Sequence, residues 1–218
     1  MTIDGVLKTL TDIGRPFLHW SGLEKMVVTK SGMLFARSVG EPTIVSIDLS
    51  RPERHHELTL SDDRSPISIC SLEDEVFITD HRGRIWTVND GSLDPYCDLL
   101  EIGSEGFTLT HLCASPDRIW VLDNSTGLYT IDRSSKKVTI SAHKGVPNQF
   151  SDILYRNGSL YVSDFHGGKI AKLDDASGNL VDVAAGLDNP TAIAAGPDDI
   201  IYAANFGTGG VARVVVVQ

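Results

Sequence analysis

The sequence is short of most features that would mark a secreted, membrane or nucleic-acid-binding protein. Three cysteines in 218 residues (Cys70, Cys97, Cys113) are too few and too scattered for a disulfide framework or a CxxC zinc site. No apolar run approaches the roughly 18–20 residues that span a bilayer. Basic residues are the scarce charge: 19 Lys and Arg stand against 29 Asp and Glu, a net of −10. Nucleic acid and anionic membrane both call for a basic face, so neither is expected as a partner. The opening residues Met1-Thr2-Ile3-Asp4-Gly5 lack the basic-then-apolar pattern of a signal peptide. No stretch keeps a helical period. Aromatics are only 7%, yet 41% of residues are hydrophobic, enough for a sizeable core. The expectation is a soluble, acidic, cytoplasmic protein in which seven histidines are the one unusual abundance.

What is present is a repeat, the feature to be sought first because it sets the fold. Leu34-Phe35-Ala36-Arg37-Ser38, Val76-Phe77-Ile78-Thr79-Asp80, Ile119-Trp120-Val121-Leu122-Asp123, Leu160-Tyr161-Val162-Ser163-Asp164 and Ile201-Tyr202-Ala203-Ala204-Asn205 are copies of one pattern. Their fifth positions are spaced 42, 43, 41 and 41 residues apart. Each period holds about four short strands, β-branched or apolar, broken by Gly, Asn, Asp and Ser turns. In the fourth copy they are expected at Asp152–Tyr155, Ser159–Ser163, Lys169–Leu173 and Asn179–Ala184. Asn157-Gly158 is a hairpin turn signal. Four antiparallel strands in roughly 42 residues make a β-propeller blade.

The fold expected is therefore all-β: a five-bladed β-propeller in one domain, residues 1–218. The blades fall near 21–60, 65–100, 107–141, 150–184 and 190–218 plus 5–11. The last copy supplies three strands, and Gly5–Thr11 is expected to complete it, a 3+1 closure that leaves no open sheet edge. Around that closure 51 residues separate Asn205 from Ser38, one period plus about nine, too few for another blade. A six-bladed ring with a degenerate blade, or a fragment, are the rival readings. A closed ring needs no partner chain, so a monomer suffices.

In a propeller, the loops leading into the inner strands share one face with the loops joining strands two and three. Five histidines fall there: His19, His81, His111, His143 and His166. His55 and His56 lie elsewhere. Imidazole titrates near neutral pH and serves as acid, base or metal ligand, although loops collect histidines in any protein. The recurring Asp80, Asp123, Asp164 and Asn205 suit hydrogen bonds to their own turn amides.

The inner strands align when counted back from the turn before strand two. Five back stand Val27, Ile69, Cys113, Ile153 and Ala194; four back stand Val28, Cys70, Ala114, Leu154 and Ala195. These small apolar sets suit packing between blades, which gives Cys70 and Cys113 a packing role rather than a nucleophilic one. Six back stand Met26, Ser68, Leu112, Asp152 and Ile193, with His111 in place of Leu112 if the third blade is shifted by one. Asp152 breaks a core-like position; it must be paired or bonded, and burial raises its pKa. Ser68, His111 and Asp152 have the residue types of a nucleophile–base–orienter set, although a His111/Asp152 acid–base pair fits adjacent strands better. The catalytic candidates are His111, Asp152 and a second carboxylate, Glu24. The substrate-contact candidates are His19 and Trp20 on the long loop Ile13–Leu23, His81 and Arg82, Phe165 and His166, and Phe206. Together they form an apolar wall with a few polar groups.

The stretch from Gly186-Leu187-Asp188-Asn189-Pro190 through Gly196-Pro197-Asp198 to Ile201-Tyr202-Ala203-Ala204-Asn205 resembles a repeat of the gluconolactonase-like and streptogramin-lyase-like propellers, as does Leu160-Tyr161-Val162-Ser163-Asp164. The first likeness implies six blades and a divalent metal held by a Glu, two Asn and an Asp at the starts of inner strands. Glu24 has the spacing of that Glu, but the matching positions hold Pro66, Thr110, Phe150 and Thr191. The second implies a His base in a ring-opening elimination, and it shares the Gly-Pro-Asp turn. No cofactor is therefore expected, with a divalent metal left open. The function expected is that of a small-molecule enzyme of lyase, isomerase/cyclase or hydrolase type. It would work by His/carboxylate acid–base chemistry at the channel mouth. The alternative is a non-catalytic propeller that binds a ligand or protein on the same face.

Overall fold

A computed structural model describes residues 23–38, 41–51, 55–61, 64–99, 109–123, 127–141, 150–174, 179–196 and 200–215. Short β-branched and apolar segments separated by tight turns can bury one face only by stacking sheet on sheet. Here they form five small antiparallel sheets in a ring, the arrangement of a five-bladed β-propeller. Blade 1 holds β1 (Leu23–Val28), β2 (Met33–Ser38), β3 (Thr43–Asp48) and β4 (His55–Thr59). Blade 2 holds β5 (Pro66–Leu72), β6 (Glu75–Asp80), β7 (Arg84–Asn89) and β8 (Ser92–Asp98). Blade 3 holds β9 (Leu109–Ala114), β10 (Arg118–Asp123), β11 (Gly127–Asp132) and β12 (Val138–Ser141). Blade 4 holds β13 (Phe150–Arg156), β14 (Ser159–Asp164), β15 (Lys169–Leu173) and β16 (Leu180–Ala185). Blade 5 holds β17 (Pro190–Ala195), β18 (Ile200–Asn205) and β19 (Val211–Val215).

From blade 1 through blade 5, each blade shares an apolar core with the next in sequence. Between blades 2 and 3, Cys70, Phe77, Ile85 and Leu99 meet Leu112, Ala114, Ile119, Val121, Tyr129 and Ile131. Similar cores join blades 1 and 2, 3 and 4, and 4 and 5. A fully buried Leu, Ile or Phe contributes about 1.5–3 kcal/mol, so these seams carry much of the stability. Cys70 and Cys113 are free thiols inside two of these cores. Burial pushes the Cys70 pKa up to about 12 and that of Cys113 well above its ordinary value.

The seam between blades 5 and 1 differs. Met26 and Val28 on β1, and Val211 on β19, are 60%, 51% and 72% exposed. On blade 3 the residues in equivalent register, Leu112, Ala114 and Leu128, are buried. The segment Gly5–Thr11, expected to complete blade 5, lies outside the described residues.

One irregularity recurs in every blade. The pairing of β1 with β2 skips Glu24, and that of β5 with β6 skips Ile67. The pairing of β9 with β10 skips Thr110, that of β13 with β14 skips Ser151, and that of β17 with β18 skips Thr191. A bulge bends its strand and re-aims the next side chain. All five lie at the same end of the sheets, where the inner strands begin.

The candidate active site at the channel mouth

The residues just after the five bulges are Lys25, Ser68, His111, Asp152 and Ala192. They pair with Arg37, Thr79, Leu122, Ser163 and Ala204, each directly before the repeated fifth position. This register corrects the sequence alignment. The one-residue shift allowed for blade 3 is real, and it also applies to blades 1 and 5. Counting from the turn assumed equal turns. β5–β6 and β13–β14 are joined by two residues, whereas β1–β2, β9–β10 and β17–β18 have longer connections. Lys25 therefore takes the place given to Met26, and Ala192 the place given to Ile193.

Ser68 and Asp152 use this position alike. The Ser68 hydroxyl oxygen accepts a hydrogen bond from the Leu112 amide on the next inner strand at 3.3 Å. Asp152 Oδ2 accepts one from the Ile193 amide on the next inner strand at 2.9 Å. Asp152 Oδ1 also accepts from the Ile153 amide at 2.9 Å. Ser68 is wholly buried, so its hydroxyl is committed to packing and no Ser68–His111–Asp152 triad forms.

His111 and Asp152 do come together, with His111 Nε2 3.6 Å from Asp152 Oδ1. Lys25 Nζ lies 3.6 Å from the same oxygen. Blades 1 and 4 are not neighbours, so Lys25 reaches across the channel. Lys25, His111 and Asp152 side chains are 26%, 19% and 15% exposed, mostly buried but not sealed from solvent. Their surroundings set their charge. Burial pulls the His111 pKa down to about 3, helped by the positive charges of Lys25 and Arg37, so the imidazole is neutral at neutral pH. His111 Nδ1 is buried without a hydrogen-bond partner. Burial raises the Asp152 pKa above the ordinary carboxylate value, against the opposing pull of Lys25 and the two amides. Burial likewise lowers the Lys25 pKa, against the pull of Asp152. Arg37, beside Lys25 on β2, donates from Nη1 to the Pro66 carbonyl at 3.1 Å.

Lys25 and Asp152 stand in the wall of a cavity of about 420 Å³ lined by all five inner strands, together with Ile69, Ser71, Leu112, Tyr155 and Ile193. A space of this size and lining suits a small molecule.

The remaining candidates divide. His19 and Trp20 lie outside the described residues, as does His143. Glu24 is the bulged residue of β1. His81 Nδ1 accepts the Ser65 amide at 3.0 Å, which makes His81 a clamp between two loops. Arg82 is exposed, and its amide caps Asp80. Asp80 is wholly buried. Its Oδ2 accepts from Arg64 Nη1 at 2.7 Å and from the Trp86 indole at 2.9 Å, and its Oδ1 from the Arg82 and Arg84 amides. Asp164 Oδ1 accepts the Gly167 amide at 2.8 Å. A Cβ on Gly167 would overlap that carboxylate and force it to shift. Phe165, His166 and Phe206 do meet: the Phe165 ring lies 4.8 Å from His166 and 6.2 Å from Phe206. Phe206 is 73% exposed, so this is an aromatic rim on blades 4 and 5 rather than a closed wall.

The metal site implied by the gluconolactonase-like resemblance does not fit these residues. The positions matching Glu24 are the other bulges, Ile67, Thr110, Ser151 and Thr191, none of them Asn or Asp. Ser151 is already engaged, donating to the Pro190 carbonyl. Among the described residues no group of three or more His, Cys, Asp or Glu is placed to hold a metal ion.

Sequence reasoning missed Lys25. A signal for it was present: a charged residue stands in the inner strand Leu23-Glu24-Lys25-Met26-Val27-Val28, one 43-residue period before Ser68 and two before His111.

Neither a scan against protein-family models nor a search of curated proteins gives a match. Solved structures do. A virginiamycin B lyase from Staphylococcus aureus superposes with a TM-score of 0.72 at 16% identity, over 91% of this chain and 71% of that one. A streptogramin B lyase gives 0.68 at 17%, over 90% and 69%. A nidogen/laminin complex gives 0.70 at 17%, over 89% and 76%. In structure, then, the chain resembles the streptogramin-lyase-like propellers and propellers of other kinds.

Proposed function

We propose that this propeller is a small-molecule enzyme of lyase, isomerase/cyclase or hydrolase type, acting at the channel mouth. The observation that carries the reading is the approach of His111 and Asp152 to 3.6 Å, nitrogen to oxygen, beside a cavity of mixed polar and apolar lining that has Asp152 in its wall. Neutral His111 is the proton acceptor. Asp152 is held in place by two backbone amides, and it stabilises the imidazolium that forms when His111 takes a proton. The two atoms are too close for a substrate atom to lie between them, so the proton-bearing atom of the substrate approaches from the side, within hydrogen-bond reach of His111. Two lyases stand among the structural neighbours, and lyase activity heads the three types for that reason.

The test is replacement of His111 and Asp152 by alanine, with turnover followed by NMR over a panel of lactones, cyclic depsipeptides and epimerisable carbonyl compounds. Positioned acid–base groups are worth about 10²–10⁴ in rate, so each change costs at least about 100-fold. Turnover that survives both changes rules out the pair. The second reading, a non-catalytic binding propeller, is favoured by the exposed rim of Phe165, His166 and Phe206. Ligand retention with no turnover of any panel member would select it.

A further inference from the structure

An acid–base pair of His111 and Asp152 gives Lys25 no task, yet Lys25 is built into the wall of the same cavity. Its side chain is mostly buried, whereas Lys30, Lys136 and Lys137 stand in solvent. Lys25 Nζ lies 3.6 Å from Asp152 Oδ1, too far for a full hydrogen bond but near enough for a proton to pass after a small movement. Asp152 is itself fixed by the Ile153 and Ile193 amides, each at 2.9 Å. An amine, a proton acceptor beside it and groups that orient the acceptor are the parts of an activated nucleophile. The electrostatics agree with the geometry. Burial lowers the Lys25 pKa and raises that of Asp152, so the two values move toward each other and transfer of a proton between them becomes easier. A desolvated lysine of this kind is suited to covalent chemistry with carbonyl groups.

Resting on the reading of the channel mouth as the working site, we propose that Lys25 is a nucleophile that forms an imine with an aldehyde or ketone held in the cavity. The Lys25 ammonium first passes one proton to Asp152. The free amine then attacks the carbonyl carbon: a C–N bond forms, and the π electrons of C=O move to oxygen. A proton shifts from that nitrogen to the oxygen, which leaves a neutral carbinolamine. Asp152 returns its proton to the hydroxyl, the C–O bond breaks, and water departs as the nitrogen lone pair closes the C=N bond. The result is an iminium that carries the charge Lys25 held at the start, facing the same carboxylate. An iminium draws electrons from the adjacent carbon. Neutral His111, beside the same Asp152 oxygen, is the base for a hydrogen on that carbon, and the electron pair it releases is taken up as an enamine.

The probe is propanal in the presence of cyanoborohydride, which reduces an imine to a stable secondary amine. The intact wild-type protein is treated at pH 7, and peptide mass spectrometry gives the rate of propylation at each lysine. A pKa lowered by one unit raises the fraction of free amine about tenfold, so Lys25 should be labelled about tenfold or more faster than exposed Lys137. In urea the two lysines should react alike, because the advantage belongs to the folded site. Labelling of Lys25 no faster than Lys137 in the folded protein overturns the proposal, and so does an excess at Lys25 that persists in urea. The wild type decides the matter, so no variant has to fold. The readout is a trapped bond rather than turnover, which separates this inference from the chemistry it rests on. Fast labelling of Lys25 in a protein that turns over no panel member sinks the acid–base reading only. Turnover that depends on His111 and Asp152 while Lys25 stays unlabelled sinks the imine only.

Discussion

Acid should destabilise this protein through one histidine. His111 has an ordinary pKa of 6.5 and a folded-state value of about 3, held down by burial and by Lys25 and Arg37. The unfolded chain binds a proton at this residue below pH 6.5, and the folded protein does not until near pH 3. Stability is therefore fully present above pH 6.5 and is lost as pH falls from 6.5 toward 3. Each pH unit in that window is worth about 1.36 kcal/mol, so lowering the pH from 7 to 5 costs about 2 kcal/mol through His111. Asp152 acts in the opposite sense. Its folded pKa is raised, so below that raised value acid favours the folded state. The comparison that isolates His111 is urea unfolding at pH 7 and pH 5 for the wild type and for His111→Gln. The wild type should lose about 2 kcal/mol more than the variant between the two conditions. Equal losses would refute the account of His111 as a buried neutral imidazole.

Other changes test the scaffold around the site. Asp80→Ala leaves the buried Arg64 charge and the Trp86 indole without their acceptor, and should cost about 3–5 kcal/mol in urea unfolding. Ser68→Ala removes the acceptor of the Leu112 amide, and should cost about 1–3 kcal/mol in urea unfolding. Of the three thiols, half-buried Cys97 should be the one that reacts readily with a disulfide reagent at pH 8 in the folded state. Cys70 and Cys113, buried and with raised pKa values, should react only on unfolding, as located by mass spectrometry.

The blades were legible in the sequence because each repeats the same strand-and-turn grammar at a steady period. The fourth copy shows the limit of that reading. Its strands were placed at Asp152–Tyr155 and Asn179–Ala184, and the structure has Phe150–Arg156 and Leu180–Ala185. The inner strand begins earlier because Phe150 pairs with Asp164 across the bulge at Ser151. Bulges carry no steady composition signal, since the hydroxyl residues Thr110, Ser151 and Thr191 give way to Glu24 and Ile67 at the same position. For the same reason the register of the site was only half readable. Asp152 stood out as a charge in an apolar strand, and His111 followed from allowing one shift. Lys25 did not, because a lysine beside Glu24 near a strand end looks like an ordinary solvated pair. Cross-channel distance, which joins blade 1 to blade 4, is invisible to any reading that runs along the chain.

The central claim is that His111 and Asp152 act as one unit at the channel mouth. A double-mutant cycle on kcat/KM, using His111→Ala, Asp152→Asn and both together on a substrate the protein turns over, tests it most directly. Groups that work as a unit are strongly non-additive, so the account predicts a double-variant loss close to that of the worse single change. A double loss equal to the product of the two single losses, or no loss in either single variant, would contradict it.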